Sequence, residues 1–227
     1  MTINFKQFFR ACNPSSTLNI ADEDDKKFYI DFSSVRSGSL IRELKRTIMF
    51  SDQSTCQLFS GHIGCGKSTE LLRLKAELEE QNYHVVYFES SEELDMGDID
   101  ITDILLLIAR KINDSLAQLE IDINPRYFSK LFGELKDFLA TEIDLSAGAE
   151  FSVGLAKITA KTKDSPKARK KLRDYLETRS DSIIDSINNE VLKPALDKLK
   201  ESGKEGLLVI VDNLDRIDNK PKPSGRN

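Results

Sequence analysis

The chain has 227 residues, 39% apolar and 31% charged, with a net charge of −5. That is long enough to bury a real core and too apolar for a disordered chain, and the negative charge excludes a general nucleic-acid coat. Cys12, Cys56 and Cys65 are odd in number and lack zinc spacing, no apolar run is long enough to span a bilayer, and the N-terminus has no signal-peptide pattern, so a cytoplasmic setting without membrane contact is expected.

Residues 1–27 are mixed and polar, and the stretch Phe28–Phe32 reads as extended. Leu40, Leu44 and Ile48 predict a helix after Ser37-Gly38-Ser39. Thr55–Gly61 reads as a strand ending in glycine. Ser68–Gln81 follows as a helix with Leu71, Leu74 and Leu78 on one face. His84–Ser90 reads as a second buried strand. Ile101–Leu119 is an amphipathic helix with Ile101, Ile104, Leu105, Ile108, Ile112, Leu116 and Leu119 on one face, and residues 127–141 suggest another. Residues 143–155 switch to period two, which reads as extended structure. Ser165-Pro166 starts a helical stretch that runs, with a break near Arg179, to Lys200. Leu207–Val211 reads as a fully buried strand ending at Asp212.

One loop carries chemistry. Gly61-His62-Ile63-Gly64-Cys65-Gly66-Lys67-Ser68 fits G-x-x-x-x-G-K-S/T, with a strand expected before it and a helix after it. Glycines let the backbone curl until successive N–H groups face one anion, and the following helix adds a partial positive charge. Lys67 is expected at the β- and γ-phosphates, Ser68 on Mg²⁺, and Thr69 near the α-phosphate. The second half of such a site is an acid at the end of a buried strand. Asp212 supplies it, placed to hold Mg²⁺ through water.

With these two motifs the sequence resembles the P-loop NTPases. Val211-Asp212-Asn213-Leu214-Asp215-Arg216 is similar to the Walker B region of the AAA+/STAND side, among KAP-type and NACHT-like ATPases. The resemblance implies ATP and Mg²⁺ bound by Gly61 to Thr69 and by Asp212, in a three-layer α/β core with a parallel sheet ordered 5-1-4-3-2. Strand one ends at the loop, strand two lies near 84–90, and strand three carries Asp212. Many relatives place a catalytic glutamate directly after the Walker B aspartate, where this chain has Asn213. Asp215 is then the alternative water-activating group, and Asn213 can position a water without taking its proton.

The organisation expected is an N-terminal segment with its helix, 1–54, flanking the nucleotide site, and a core over 55–227. Because 145 residues separate Lys67 from Asp212, a mostly helical insertion of about 120–200 interrupts the core. Residues 157–179 hold nine basic against three acidic side chains, which reads first as a solvated helix face and second as a nucleic-acid surface. Cys65 reads as a small residue that fits the loop, with oxidant sensitivity as the sharper reading. Strands four and five are missing from these residues, so a gapped sheet with exposed apolar edges is expected. Its complement would come from a downstream part of a larger ATPase or from a partner chain. Three functions stay open: a Mg-dependent ATPase acting as a nucleotide switch in a regulatory or defence-like assembly, with homo-oligomers in scope; a nucleotide-binding module that hydrolyses nothing; and a nucleic-acid-dependent motor or loader.

Overall fold

The computed structural model describes residues 5, 9, 17–31, 40–96, 99–138, 153–154 and 165–214. These fall in two compact units, Met1–Val85 and Val86–Asn227.

In the first unit, a short helix α1 (Glu23–Lys26) is capped by Asp22, whose side chain accepts the Asp24 N–H at 2.8 Å. Helix α2 (Leu40–Phe50) packs on α3 (Lys67–Glu79), pinned by Lys45 to Glu77 at 3.2 Å. The buried side of α2 is set by Ile41, with Leu44 and Ile48 partly covered, while Leu40 is 60% exposed. The expected face is therefore turned by about one residue. On α3, Leu74 and Leu78 are buried, as their spacing predicts, and Leu71 is half-buried. Tyr29 ties the N-terminal segment down: its hydroxyl donates to Glu70 at 2.9 Å and accepts from Arg73 at 2.7 Å. Residues 29–31 carry no regular element.

Thr55–Gly61 is not a strand, a correction to the sequence expectation. The reason lies in pairing. A strand's N–H and C=O groups need a neighbour, and in the expected order strand one sits between four and five. The described residues hold only two strands, and these pair with each other. Leu58 is accordingly 91% exposed.

Strand β1 (Tyr83–Glu89), within which the division between the units falls, pairs in parallel with β2 (Gly206–Asp212). The adjacency is the one expected of strands two and three. The architecture is thus mixed α/β, mostly helical, with a two-stranded parallel sheet. β2 is only partly buried along its length: Leu207, Val209 and Val211 lean on the helical core, while Leu208 on the other face is half-covered.

That core is built by helices. After a short turn of helix α4 (Ser90–Glu93) comes α5 (Ile101–Ala117), then α6 (Arg126–Phe138), α7 (Pro166–Glu177) and α8 (Ser180–Ser186). A π-helical segment (Ile187–Leu192) joins α8 to α9 (Lys193–Glu201). Leu107, Ile112 and Leu116 of α5 are almost wholly buried with Phe128, Leu135, Leu176 and Val191. Each such side chain contributes about 1.5–3 kcal/mol by leaving water. Of the expected face, Ile101 on α5 and Leu119 just past its end are exposed, and Leu106, Leu107 and Ala109 are buried as well as Ile112 and Leu116, because the helix is covered on more than one side. Its start is a capping box: Asp100 accepts the Thr102 N–H at 3.1 Å and Asp103 accepts the Asp100 N–H at 3.0 Å.

Of the period-two segment only Val153 and Gly154 are described, and both are helical. A glycine inside a helix costs about 1 kcal/mol, which helical context readily offsets. The remainder of 143–155 lies outside the described residues. Among the described residues, no helix is long and apolar enough to cross a membrane.

Candidate functional site

The first unit holds the loop Gly61–Thr69. Gly64 and Gly66 have φ of +79° and +87°, the left-handed region open to glycine. A side chain at either would meet nothing within 4 Å, so backbone conformation and not space requires glycine there. At Gly61 the reverse holds: an added Cβ would lie 2.9 Å from Cys65 Sγ. The Cys65 thiol thus packs over Gly61, which supports its reading as a small residue that fits the loop.

The curl is closed by the Cys65 N–H donating to the His62 carbonyl at 3.2 Å. The Lys67 ammonium folds back over the loop and donates to the carbonyls of Gly61 at 2.9 Å and His62 at 3.2 Å. Helix α3 starts at Lys67 with Gly66 as its N-cap, and no side chain caps it. Its first N–H groups face the loop mouth, where the helix end is partly positive. Gly61, His62, Ile63, Gly64 and Gly66 are exposed, and Lys67, Ser68 and Thr69 are partly so. This arrangement can receive a phosphate: curled backbone, open helix end, and a cation held by carbonyls that an anion can displace.

The second unit holds the strand-end acid singled out in the sequence. Asp212 is the last residue of β2 and is 4% exposed. Its Oδ2 accepts the Tyr87 hydroxyl at 2.8 Å, and its Oδ1 accepts the Asn213 N–H at 2.7 Å. Ser90 Oγ donates to the Asp212 carbonyl at 3.0 Å. Burial first, then the Asp212 hydrogen bond, holds the Tyr87 hydroxyl far above the ordinary phenol range, so it remains a donor. Among the described residues only neutral groups hydrogen-bond this buried carboxylate. A buried carboxylate without a cation is costly, and a metal ion is the kind of partner that would complete it. Among the described residues, no group of three or more His, Cys, Asp and Glu side chains forms a metal cluster.

Asn213 follows with φ +61°, a left-handed conformation that asparagine tolerates. Its Nδ2 donates to Glu89 Oε2 at 2.5 Å. Asp215 lies outside the described residues. Neither Tyr87 nor Glu89 stands out in the sequence. The alternation in β1 and the strand pairing are the only signals that point to them.

The basic stretch is partly used inside its own unit. Arg169 of α7 is 5% exposed and pairs with Asp95 at 2.7 Å, and Arg173 pairs with Asp103 at 3.0 Å. Lys167 and Lys170 are exposed. Comparison with protein-family models, curated proteins and solved structures found no match to this chain.

Proposed function

We propose that the chain binds Mg·ATP through Gly61–Thr69 and works as a nucleotide switch in which hydrolysis to ADP resets the state. The observation that carries the reading is the loop itself: left-handed Gly64 and Gly66 running into an uncapped helix start, with Lys67 folded over two loop carbonyls. Lys67 would exchange those carbonyls for the β- and γ-phosphates. Ser68 would ligate the metal, and Thr69 would sit near the α-phosphate. Bound Mg²⁺ supplies charge neutralisation on the phosphate oxygens. The AAA+/STAND resemblance supports assembly into homo-oligomers or with a partner chain.

A reading without turnover rests on one specific feature, the amide of Asn213 directly after Asp212, where an acid would serve hydrolysis. The nucleic-acid motor reading is weakened, since Arg169 and Arg173 are engaged by Asp95 and Asp103.

The test is calorimetric titration of Mg·ATP into wild type and Lys67→Ala. A charged hydrogen-bonding group of this kind contributes about 1.5–3 kcal/mol, so affinity should fall roughly 10- to 150-fold. Identical titrations for the two proteins would refute nucleotide binding at this loop.

A further inference from the structure

A cavity of about 380 Å³ lies between α2 and α3, wholly within the first unit. Its α3 wall is Arg73 and Glu77, roughly 9 and 15 Å along the helix from Lys67, so it is separate from the glycine loop. We infer that this cavity binds a small organic phosphate, with the phosphate among Arg42, Lys45 and Arg46 and a planar group against Phe50. The inference stands apart from the Mg·ATP reading above.

The charge comes from α2. Arg42, Lys45 and Arg46 recur at intervals of three and four residues, so they share one face of the helix, and that face lines the cavity. Opposite them α3 adds Arg73, and the lining holds one acid, Glu77. That acid is already shared, pairing with Arg73 at 2.9 Å and with Lys45 at 3.2 Å. Arg73 is further matched by Asp31 at 3.6 Å and Glu70 at 3.8 Å, and it donates to the Tyr29 hydroxyl at 2.7 Å. It is a fixed wall, and the charge left for a ligand is on α2. Arg46 is exposed at the rim and has no ion pair among the described residues. Like charges one turn apart, as at Arg42 and Arg46, repel, and an anion seated between them relieves that repulsion. Phosphate suits them best, because a guanidinium grips two of its oxygens at once.

The same helix face supplies the rest of the ligand's outline. Met49 lies one turn past Lys45 and Phe50 one turn past Arg46, and both line the cavity. Met49 is half-buried, whereas Phe50 is 75% exposed. An inorganic anion would leave that ring in water, and an apolar ligand would leave the arginines unmatched. A phosphate joined to a planar ring uses both. The volume falls at the lower end of small-molecule sites, which suits a ligand no larger than one nucleotide.

The experiment titrates adenosine 5′-monophosphate, without Mg²⁺, into the full chain and into K67A, R46A, F50A and R42E/R46E, followed by calorimetry. This probe carries no β- or γ-phosphate for Lys67, so K67A should bind it as wild type does. R46A should weaken binding by about tenfold, the low end for a charged hydrogen bond because the side chain sits at an exposed rim. F50A should weaken it by about fivefold through lost stacking. R42E/R46E should abolish it, and adenosine and inorganic phosphate should each bind the wild type more weakly than the monophosphate. The substituted positions are exposed, so thermal melts should match the wild type and separate lost binding from lost fold. No binding by the wild type, or equal affinity in R46A and R42E/R46E, overturns the assignment. Loss of binding in K67A alone overturns it by placing the probe on the loop. Cosedimentation of the wild type with phosphatidylserine vesicles, lost in R42E/R46E and without binding of the free monophosphate, overturns it in favour of a membrane-surface contact.

Discussion

Tyr87→Phe is the sharpest structural test. The substitution removes one hydroxyl and keeps the ring that β1 packs. The lost bond is Tyr87 Oη to Asp212 Oδ2, 2.8 Å long, on a carboxylate that is 4% exposed. A hydrogen bond to a charged group contributes about 1.5–3 kcal/mol, and at this depth little water can replace the missing donor. For a chain of this size each kcal/mol shifts the melting temperature by about 2–4 °C, so a fall of roughly 3–12 °C is expected. Because the chain contains two units, a local probe is needed as well. Hydrogen exchange read by mass spectrometry on peptides covering 206–213 should show faster exchange in the variant, with far-UV circular dichroism reporting global melting. Asp212→Ala, which removes the acceptor, completes the cycle. If the bond is what matters, Y87F and D212A should couple by about 1.5–3 kcal/mol and not add. Strict additivity, or a Y87F protein that melts and exchanges as wild type does, would show that Asp212 draws its compensation from elsewhere.

Other outcomes follow from the same structure. Stability should decline above about pH 10, the ordinary tyrosine value, in a urea-midpoint series against pH. Burial and the Glu134 bond push Tyr175 up to about 12, so the folded chain keeps a proton that the unfolded chain loses between those values; Tyr175→Phe should make that limb shallower, with the raised Tyr87 supplying part of what remains. Arg169→Leu should cost about 1–3 kcal/mol in denaturant midpoint, less than for a fully buried pair because Asp95 remains 43% exposed, whereas Lys170→Ala should stay within about 0.5 kcal/mol. Equal losses at the two positions would contradict the partition of the basic stretch. Asp100→Ala should lower stability by about 0.5–2 kcal/mol through loss of the α5 cap, read from thermal melts. Duplex DNA should show no salt-sensitive binding at low ionic strength, and a steep salt slope would revive the nucleic-acid reading.

Local pattern carried much of this molecule. The helices at 67–79, 101–117, 126–138 and 166–201, and the strands 83–89 and 206–212, follow from apolar spacing, caps and β-branched runs that act within a few residues. The glycine and lysine loop at 61–69 was legible for the same reason, since its residues are contiguous. What escaped depends on partners distant in sequence. Thr55–Gly61 has the composition of a strand, but a strand exists only against a neighbour, and none of the described strands pairs with it. Leu40 and Ile41 compete for the same helix side, and periodicity alone cannot say which one the packing on α3 selects. Glu89 meets Asn213 across 124 positions, a contact fixed by strand register and by one left-handed residue.

The π-helical segment between α8 and α9 has its own consequence for how this chain can change over evolutionary time. Ile183, Ile187, Val191, Ala195 and Leu199 are all buried, at an unbroken interval of four residues. On a plain α-helix, at about 100° per residue, each such step overshoots the last by about 40°, and the five would wind around toward the opposite side. The wider turn at Ile187–Leu192 holds more residues per revolution and takes up that drift. Pro194, two residues past the segment, cannot donate to the carbonyl four positions back and so penalises ordinary winding at that point. Removing one residue between 187 and 192 would therefore do less than the same deletion elsewhere in the helix. Five residues of ordinary helix turn through nearly the same angle as six in the wider winding, so regular winding would return with Ala195 and Leu199 still on the core side, whereas a deletion inside α9 would rotate everything downstream by about 100°. Single-residue deletions should be better tolerated in this segment than in the helices on either side, since it behaves as one extra residue that the helix has absorbed.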